Sequence, residues 1–254
     1  MQILLPPSET KRPGGDGPAL DIAAWALPTL VPARDAVIDA LIALAADEEE
    51  AARVLALSAR QRGEIAHNAT LRSSATMPAV ERYTGVLFDA LDAGTLDRAA
   101  RRWLGAHVWI HSAPFGPVGA LDAIPAYRLG AAAPLPGVAS LKRHWAGAVS
   151  EAIEAAAPVF VLDLRSEAYV ALGPVPDAVS SVYVRVVTEE GRALNHFNKH
   201  AKGELVRLLA QQRPRVASLR GLLAWAERAE LTMRRTEAHG VVELVTAQPI
   251  RRTR

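Results

Sequence analysis

The chain of 254 residues contains no cysteine, which removes disulfides, thiolate metal sites and a cysteine nucleophile together. It has no apolar run of about 20 residues, the length a membrane span requires. The apolar stretch after Met1 is too short for a secretory leader and lacks a basic start. No period of about 20 to 50 residues recurs, and no linker separates two composition regimes. Strong net charge is absent too: 29 Lys and Arg stand against 27 Asp and Glu, for a formal +2. Affinity for nucleic acid or phosphate therefore needs a local patch rather than a basic protein. What remains is half apolar and 22% charged, an ordinary globular chain long enough to bury a sizeable core. The expectation is one mixed domain over residues 1–254, cytoplasmic and with no membrane partner.

Hydrophobic patterning supplies the elements. Gln2–Leu5 reads as a buried strand stopped by Pro6-Pro7. Residues Pro32–Ala59 read as two helices broken by the acidic run Asp47–Glu50, favourable charge for the second helix's N-terminus. A short helix over Leu96–Leu104 precedes a strand at His107–His111. Leu141–Ala157 reads as a helix with Trp145, Val149 and Ile153 inside, and Val159–Leu164 is the clearest buried strand. Ser181–Val187 alternates as a strand, and Glu189–Arg192 reads as a hairpin turn whose partner strand runs toward Leu194–Asn198. A helix carrying Leu205, Leu208 and Leu209, a helix over Gly221–Glu230, a strand at Val241–Val245 and a frayed basic tail, Arg251–Arg254, complete the reading.

Chemistry-bearing residues collect at the ends of these strands, where open α/β sheets bind ligands. The first loop carries Ser8, Glu9, Lys11 and Arg12. Tyr83-Thr84-Gly85 lies between two helix-like pieces, a shape shared with the helix-hairpin-helix that grips DNA phosphates through backbone N–H groups. Ser112–Leu129 holds two glycines, three prolines and Asp122 and ends in Tyr127-Arg128. Lys142, Arg143 and His144 crowd a helix start, where cations oppose the macrodipole unless an anion sits there. Arg165, Ser166, Glu167 and Tyr169 follow the clearest strand, either as a site or as a capped helix start. Lys199 and Lys202 begin the helix after residue 198. His107 and His111 lack an acidic partner, so no metal site is assigned, and no motif names a cofactor.

These residues, in this order, carry a resemblance. Ile3-Leu4-Leu5-Pro6-Pro7-Ser8-Glu9, Tyr83-Thr84-Gly85, Phe115-Gly116, Leu121-Asp122, Tyr127-Arg128-Leu129, Asp163-Leu164-Arg165-Ser166, Lys199 with Lys202-Gly203, and His239-Gly240 span nearly the whole chain. In them the sequence resembles the YaaA family of peroxide-stress proteins. The resemblance implies an α+β domain, a central sheet flanked by helices in the so-called cantaloupe fold, with a helix-hairpin-helix-like element and a positively charged cleft. It also implies DNA binding and protection of DNA during peroxide stress, in a setting of iron homeostasis. Many relatives carry Ser-Pro-Ala-Lys after the first strand; here Glu9 stands at the lysine count and Lys11 follows two positions later. An Arg-Pro after the glycine turn of relatives is replaced by Gly119-Ala120, which removes a cation.

Two functions follow. In the first, a DNA-binding protein meets phosphates with Ser8, Lys11, Thr84, Gly85, Arg128, Lys142, Arg165, Lys199 and Lys202, with Trp145 available to stack a base. In the second, the same cleft is an active site for a nucleotide, nucleoside or DNA base, with Tyr127, Arg128, Ser166, Glu167, Tyr169 and Lys199 as acid, base or nucleophile. No spacing selects a reaction. An iron-handling role ranks last.

Overall fold

Four buried residues, Gln2–Leu5, form β1 in the interior of the sheet. The structure, a computed structural model of the chain, describes residues 1–192 and 196–246. Strand β1 pairs in parallel with β3 (Val108–Ser112) on one side and β6 (Val161–Asp163) on the other, with Leu4 opposite both Trp109 and Asp163. Beyond β6 lie β7 (Ser181–Val187) and β9 (Val241–Val245), also parallel. Antiparallel edges close the sheet, β4 (Gly116–Gly119) against β3 and β8 (Met233–Arg235) against β9. A separate two-stranded ladder joins β2 (Met77–Pro78) to β5 (Ala123–Ile124). The result is a mixed central sheet flanked by helices, as the fold reading expected.

The helices are α1 (Val31–Leu44), α2 (Glu48–Val54), α3 (Ile65–Ala69), α4 (Ala79–Arg82), α5 (Val86–Leu91), α6 (Arg98–His107), α7 (Leu141–Ala156), α8 (Glu167–Ala171), α9 (His196–Gln212) and α10 (Leu219–Arg228). Asp47 caps α2 by accepting from Glu50 N–H at 3.0 Å, so the acidic run starts the helix as its charge suggested. Trp145, Val149 and Ile153 are fully buried on the inner face of α7. Helix α9 packs on α5 through Gly203, where a Cβ would stand 2.2 Å from Leu87 O. No side chain fits there, so this glycine sets how close the two helices come. Among the described residues no helix is long and apolar enough to cross a membrane.

One expectation, a partner strand running toward Leu194–Asn198, fails at His196–Asn198. The turn exists: Thr188 N–H donates to Arg192 O at 2.9 Å and Gly191 has φ +78°. It leads into α9 rather than a hairpin strand, because both edges of β7 are already taken by β6 and β9. Leu194 and Asn195, like the tail Arg251–Arg254, lie outside the described residues.

The end of β6 is fixed by a buried ion pair. Asp163 Oδ1 accepts from Arg165 N–H at 3.0 Å and from Nε at 2.9 Å, and Oδ2 accepts from Nη2 at 2.6 Å. Arg165 Nη1 donates to Gly173 O at 2.7 Å and to His111 Nδ1 at 2.9 Å. Arg165 is fully buried. Removing the carboxylate strands its charge, so Asp163→Ala is expected to lower the unfolding free energy by about 3–5 kcal/mol in urea denaturation. A loss under about 1 kcal/mol would show that the pair does not hold this edge.

Candidate functional site

Two strand ends and two distant loops meet at the carboxyl edge of the sheet. The loop after β1 is laced to the α4–α5 junction: Arg12 N–H donates to Arg82 O at 2.9 Å, Thr84 N–H donates to Thr10 O at 3.1 Å, and Lys11 and Tyr83 form an antiparallel bridge. Arg82, fully buried, reinforces this by donating to Arg12 O at 2.6 Å and to Ile124 O at 3.0 Å. The Arg128 backbone is held from both sides by Asn68, whose Oδ1 accepts from Arg128 N–H and whose Nδ2 donates to Arg128 O, each at 2.8 Å. Asn68 is itself fully buried.

Between these segments lies a cleft of about 650 Å³, the size of a small-molecule site. Its walls include Ser8, Lys11, Tyr127, Arg128, Ser166, Tyr169, Lys199 and Lys202. Lys11 Nζ donates to Ser8 O and Glu9 O, both at 3.1 Å, and stands 4.1 Å from the centre of the Tyr127 ring. Behind it the hydroxyls of Tyr83 and Tyr127 are 2.8 Å apart. Arg128 Nη1 reaches Glu64 Oε2 at 3.4 Å, a long contact that leaves much of its donor fork unused. Lys202 Nζ lies 3.5 Å from Arg165 O and 5.4 Å from the Tyr183 ring.

Burial sets the protonation states. It lowers Lys11 to about 7, helped by the neighbouring Arg128 charge, while Glu64 and Glu9 pull the other way. Burial likewise lowers Lys202 to about 8, with Asp163 opposing. The same desolvation pushes Tyr83, Tyr127 and Tyr169 upward. Near neutral pH the cleft therefore combines protonated tyrosines with a lysine that burial holds toward its free amine.

Some sequence assignments fall elsewhere. Arg165 is fully buried and committed to Asp163, so it has no free face for a phosphate. Trp145 is also fully buried, donating Nε1–H to Ala113 O at 2.9 Å, and cannot stack a ligand base. Lys142 and Glu167 line a neighbouring hollow of about 640 Å³ with Asp163 and Tyr183, not the main cleft. Ser140 caps α7 by accepting from Arg143 N–H at 3.4 Å. Thr84 and Gly85 serve the loop: Thr84 Oγ1 donates to Thr10 Oγ1 at 3.0 Å, and Gly85 N–H donates to Asp89 Oδ1 at 3.1 Å. His107 closes α6 and bonds Met1 O, whereas His111 sits inside β3 on Arg165, so the two do not face one metal. Sequence reasoning missed Glu64 and Asn68, which carry no local signal. It also passed over the lysine count. The chain has four lysines, of which three, Lys11, Lys199 and Lys202, line this cleft.

A mixed α/β sheet with a cation- and tyrosine-lined cleft at its carboxyl edge is the class of protein that fold and site define. Within that class the chain belongs to the family described as peroxide stress protein YaaA, whose family model matches residues 1–234. It is similar to the UPF0246 protein of Corynebacterium efficiens, 46% identical over 230 residues, which cover 88% of this chain and 90% of the relative. The UPF0246 protein of Streptomyces coelicolor is 44% identical over 214 residues, 82% of each chain. That of Limosilactobacillus fermentum is 31% identical over 176 residues, 65% of this chain and 69% of the relative.

The lysine assignment has a thermodynamic signature. Lys11 titrates near 7 when folded and near about 10.4 when unfolded. Between those values the unfolded state binds more protons, so stability rises with pH. Denaturant unfolding from pH 7 to about 9.5 is expected to show this rise, with Lys202 adding from about 8. Lys11→Met should flatten it; an unchanged slope would remove the lowered amine.

Proposed function

We propose that the cleft binds nucleic acid through its phosphates, and that DNA is the partner this peroxide-stress family member protects. The observation that carries the reading is the meeting of Lys11, Arg128, Lys199 and Lys202, from three separate chain segments, around one concave space. A composition with net charge of only +2 would otherwise spread its cations evenly. Tyr127 and Tyr169 put aromatic rings into the same wall, surfaces on which a base can stack.

The segment from α4 to α5 is the candidate helix-hairpin-helix-like element. Its two helices have four and six residues, and the Gly85 N–H is already taken by Asp89. Phosphate contact in this reading therefore falls to the side-chain cations across the cleft rather than to that turn.

A second reading, an enzyme acting on a nucleotide, nucleoside or DNA base, draws on one feature: the lowered Lys11 amine in the cleft wall. Such an amine is a nucleophile or base at neutral pH.

Fluorescence anisotropy with a labelled duplex across a salt series tests the binding reading. Three to four phosphate contacts predict a log–log slope of about −3 to −4. Arg128→Ala and Lys199→Ala should each make it shallower by about 0.9. Affinity indifferent to salt, or slopes that neither substitution changes, would overturn the phosphate cleft.

A further inference from the structure

We infer that Lys11 is an amine nucleophile that condenses with an aldehyde bearing a neighbouring phosphate, forming an imine in the cleft. The inference rests on the phosphate-cleft reading and deepens it by naming the substrate class. Its first support is position. Lys11 is half-buried in the cleft wall, and the two hydrogen bonds of its Nζ go to the carbonyl oxygens of Ser8 and Glu9. No described hydrogen bond or ion pair joins it to a carboxylate. A neutral amine can make both of those donations and keep its lone pair for chemistry.

Its second support is the company it keeps. The groups facing it are the cations Arg128 and Arg82, the carboxylates Glu9 and Glu64, and the rings of Tyr83 and Tyr127. Arg128 holds the amine toward its free form, and Lys199 on α9 offers a second point of attachment for a phosphate. A free amine beside fixed cations is the arrangement that carbonyl condensation on an anionic substrate needs. A lysine at its ordinary value would present roughly a thousandfold less free amine at pH 7.

The step balances without a redox partner. The Nζ lone pair attacks the aldehyde carbon and the carbonyl pair moves to oxygen. Both protons of the amine end on that oxygen, water leaves, and a C=N bond remains. Two sources offer such an aldehyde: a free sugar phosphate, or DNA that has lost a base, whose ring-opened deoxyribose carries an aldehyde between two phosphates. The DNA-binding reading points to the second.

Borohydride trapping decides the matter. Full-length protein is incubated with a duplex containing one abasic site, with the intact duplex, and with 2-deoxyribose 5-phosphate; each mixture is reduced, and the adduct is located by peptide mass spectrometry among the four lysines and the N-terminal amine. The expected result is an adduct at Lys11 on the abasic duplex, rising through pH 7. It should fall at least about tenfold in Lys11→Arg, which keeps a cation but cannot form an imine under these conditions. An adduct at Lys11 with deoxyribose 5-phosphate alone would keep the imine and move the source to small molecules. Salt-dependent duplex binding with no adduct at Lys11, or equal trapping in Lys11→Arg, would overturn the inference and leave the phosphate cleft standing. Absence of both would overturn both.

Discussion

The fold depends on one buried guanidinium. Arg165 leaves the end of β6 and spends its donors on Asp163, His111 and the carbonyl of Gly173, while its own carbonyl faces Lys202. Thus β6, β3 and the chain just after α8 are registered by a single side chain, and helix α9 meets the same residue at its backbone carbonyl. Burying two charges carries a large desolvation penalty, and a pair of this kind adds little net stability over an apolar alternative. What it supplies is geometry. Five donors in a planar fork accept few alternative arrangements, so the strand ends around the cleft stand in one relation to each other.

Two other arginines repeat the device. Arg34 donates to the carbonyls of Ala26, Phe115 and Pro117, and Arg82 to those of Arg12, Ala75 and Ile124. Each ties loop carbonyls to a strand, Arg34 through Pro117 of β4 and Arg82 through Ile124 of β5, satisfying carbonyls that burial would otherwise leave unpaired. Burial lowers Arg34, but only to about 10, so it remains charged at neutral pH. A lysine in such a place would shed its proton instead. Arg34, Arg82 and Arg165 are thus buried in the scaffold, while three of the four lysines line the cleft.

That division explains what could be read from the sequence. Strands β1, β6, β7 and β9 were legible because continuous apolar or alternating runs report burial directly. The turn at Gly191 was legible, but its continuation was not, since whether β7 has a free edge depends on strands far away in the chain. Arg165 and Trp145 illustrate a second limit. A charge or ring just past a strand looks the same in sequence whether it faces ligand or core, and here both face the core. In Ser112–Leu129, the glycine-rich front half became β4, laid against β3, while Tyr127 and Arg128 reach the cleft. The scarcity of lysine was visible from the start, yet its meaning needed the fold to place three of four lysines together.

A bound phosphate would act back on this arrangement. Arg128 lowers Lys11 because like charges disfavour each other at short range, and a phosphate seated between them would neutralise that influence and pull the amine back toward its charged form. Phosphate binding and free amine at Lys11 are therefore compatible only if the anion sits at a distance from Nζ. Lys199 stands on α9 while Lys11 sits on the loop after β1, so different elements carry the two lysines. An anion held on the α9 side leaves burial, the larger of the two causes, acting on Lys11 undiminished. Under the proposed reading, that division between loop and helix, with Arg82 tying the loop in place, would let one cleft attract phosphate and keep a neutral amine.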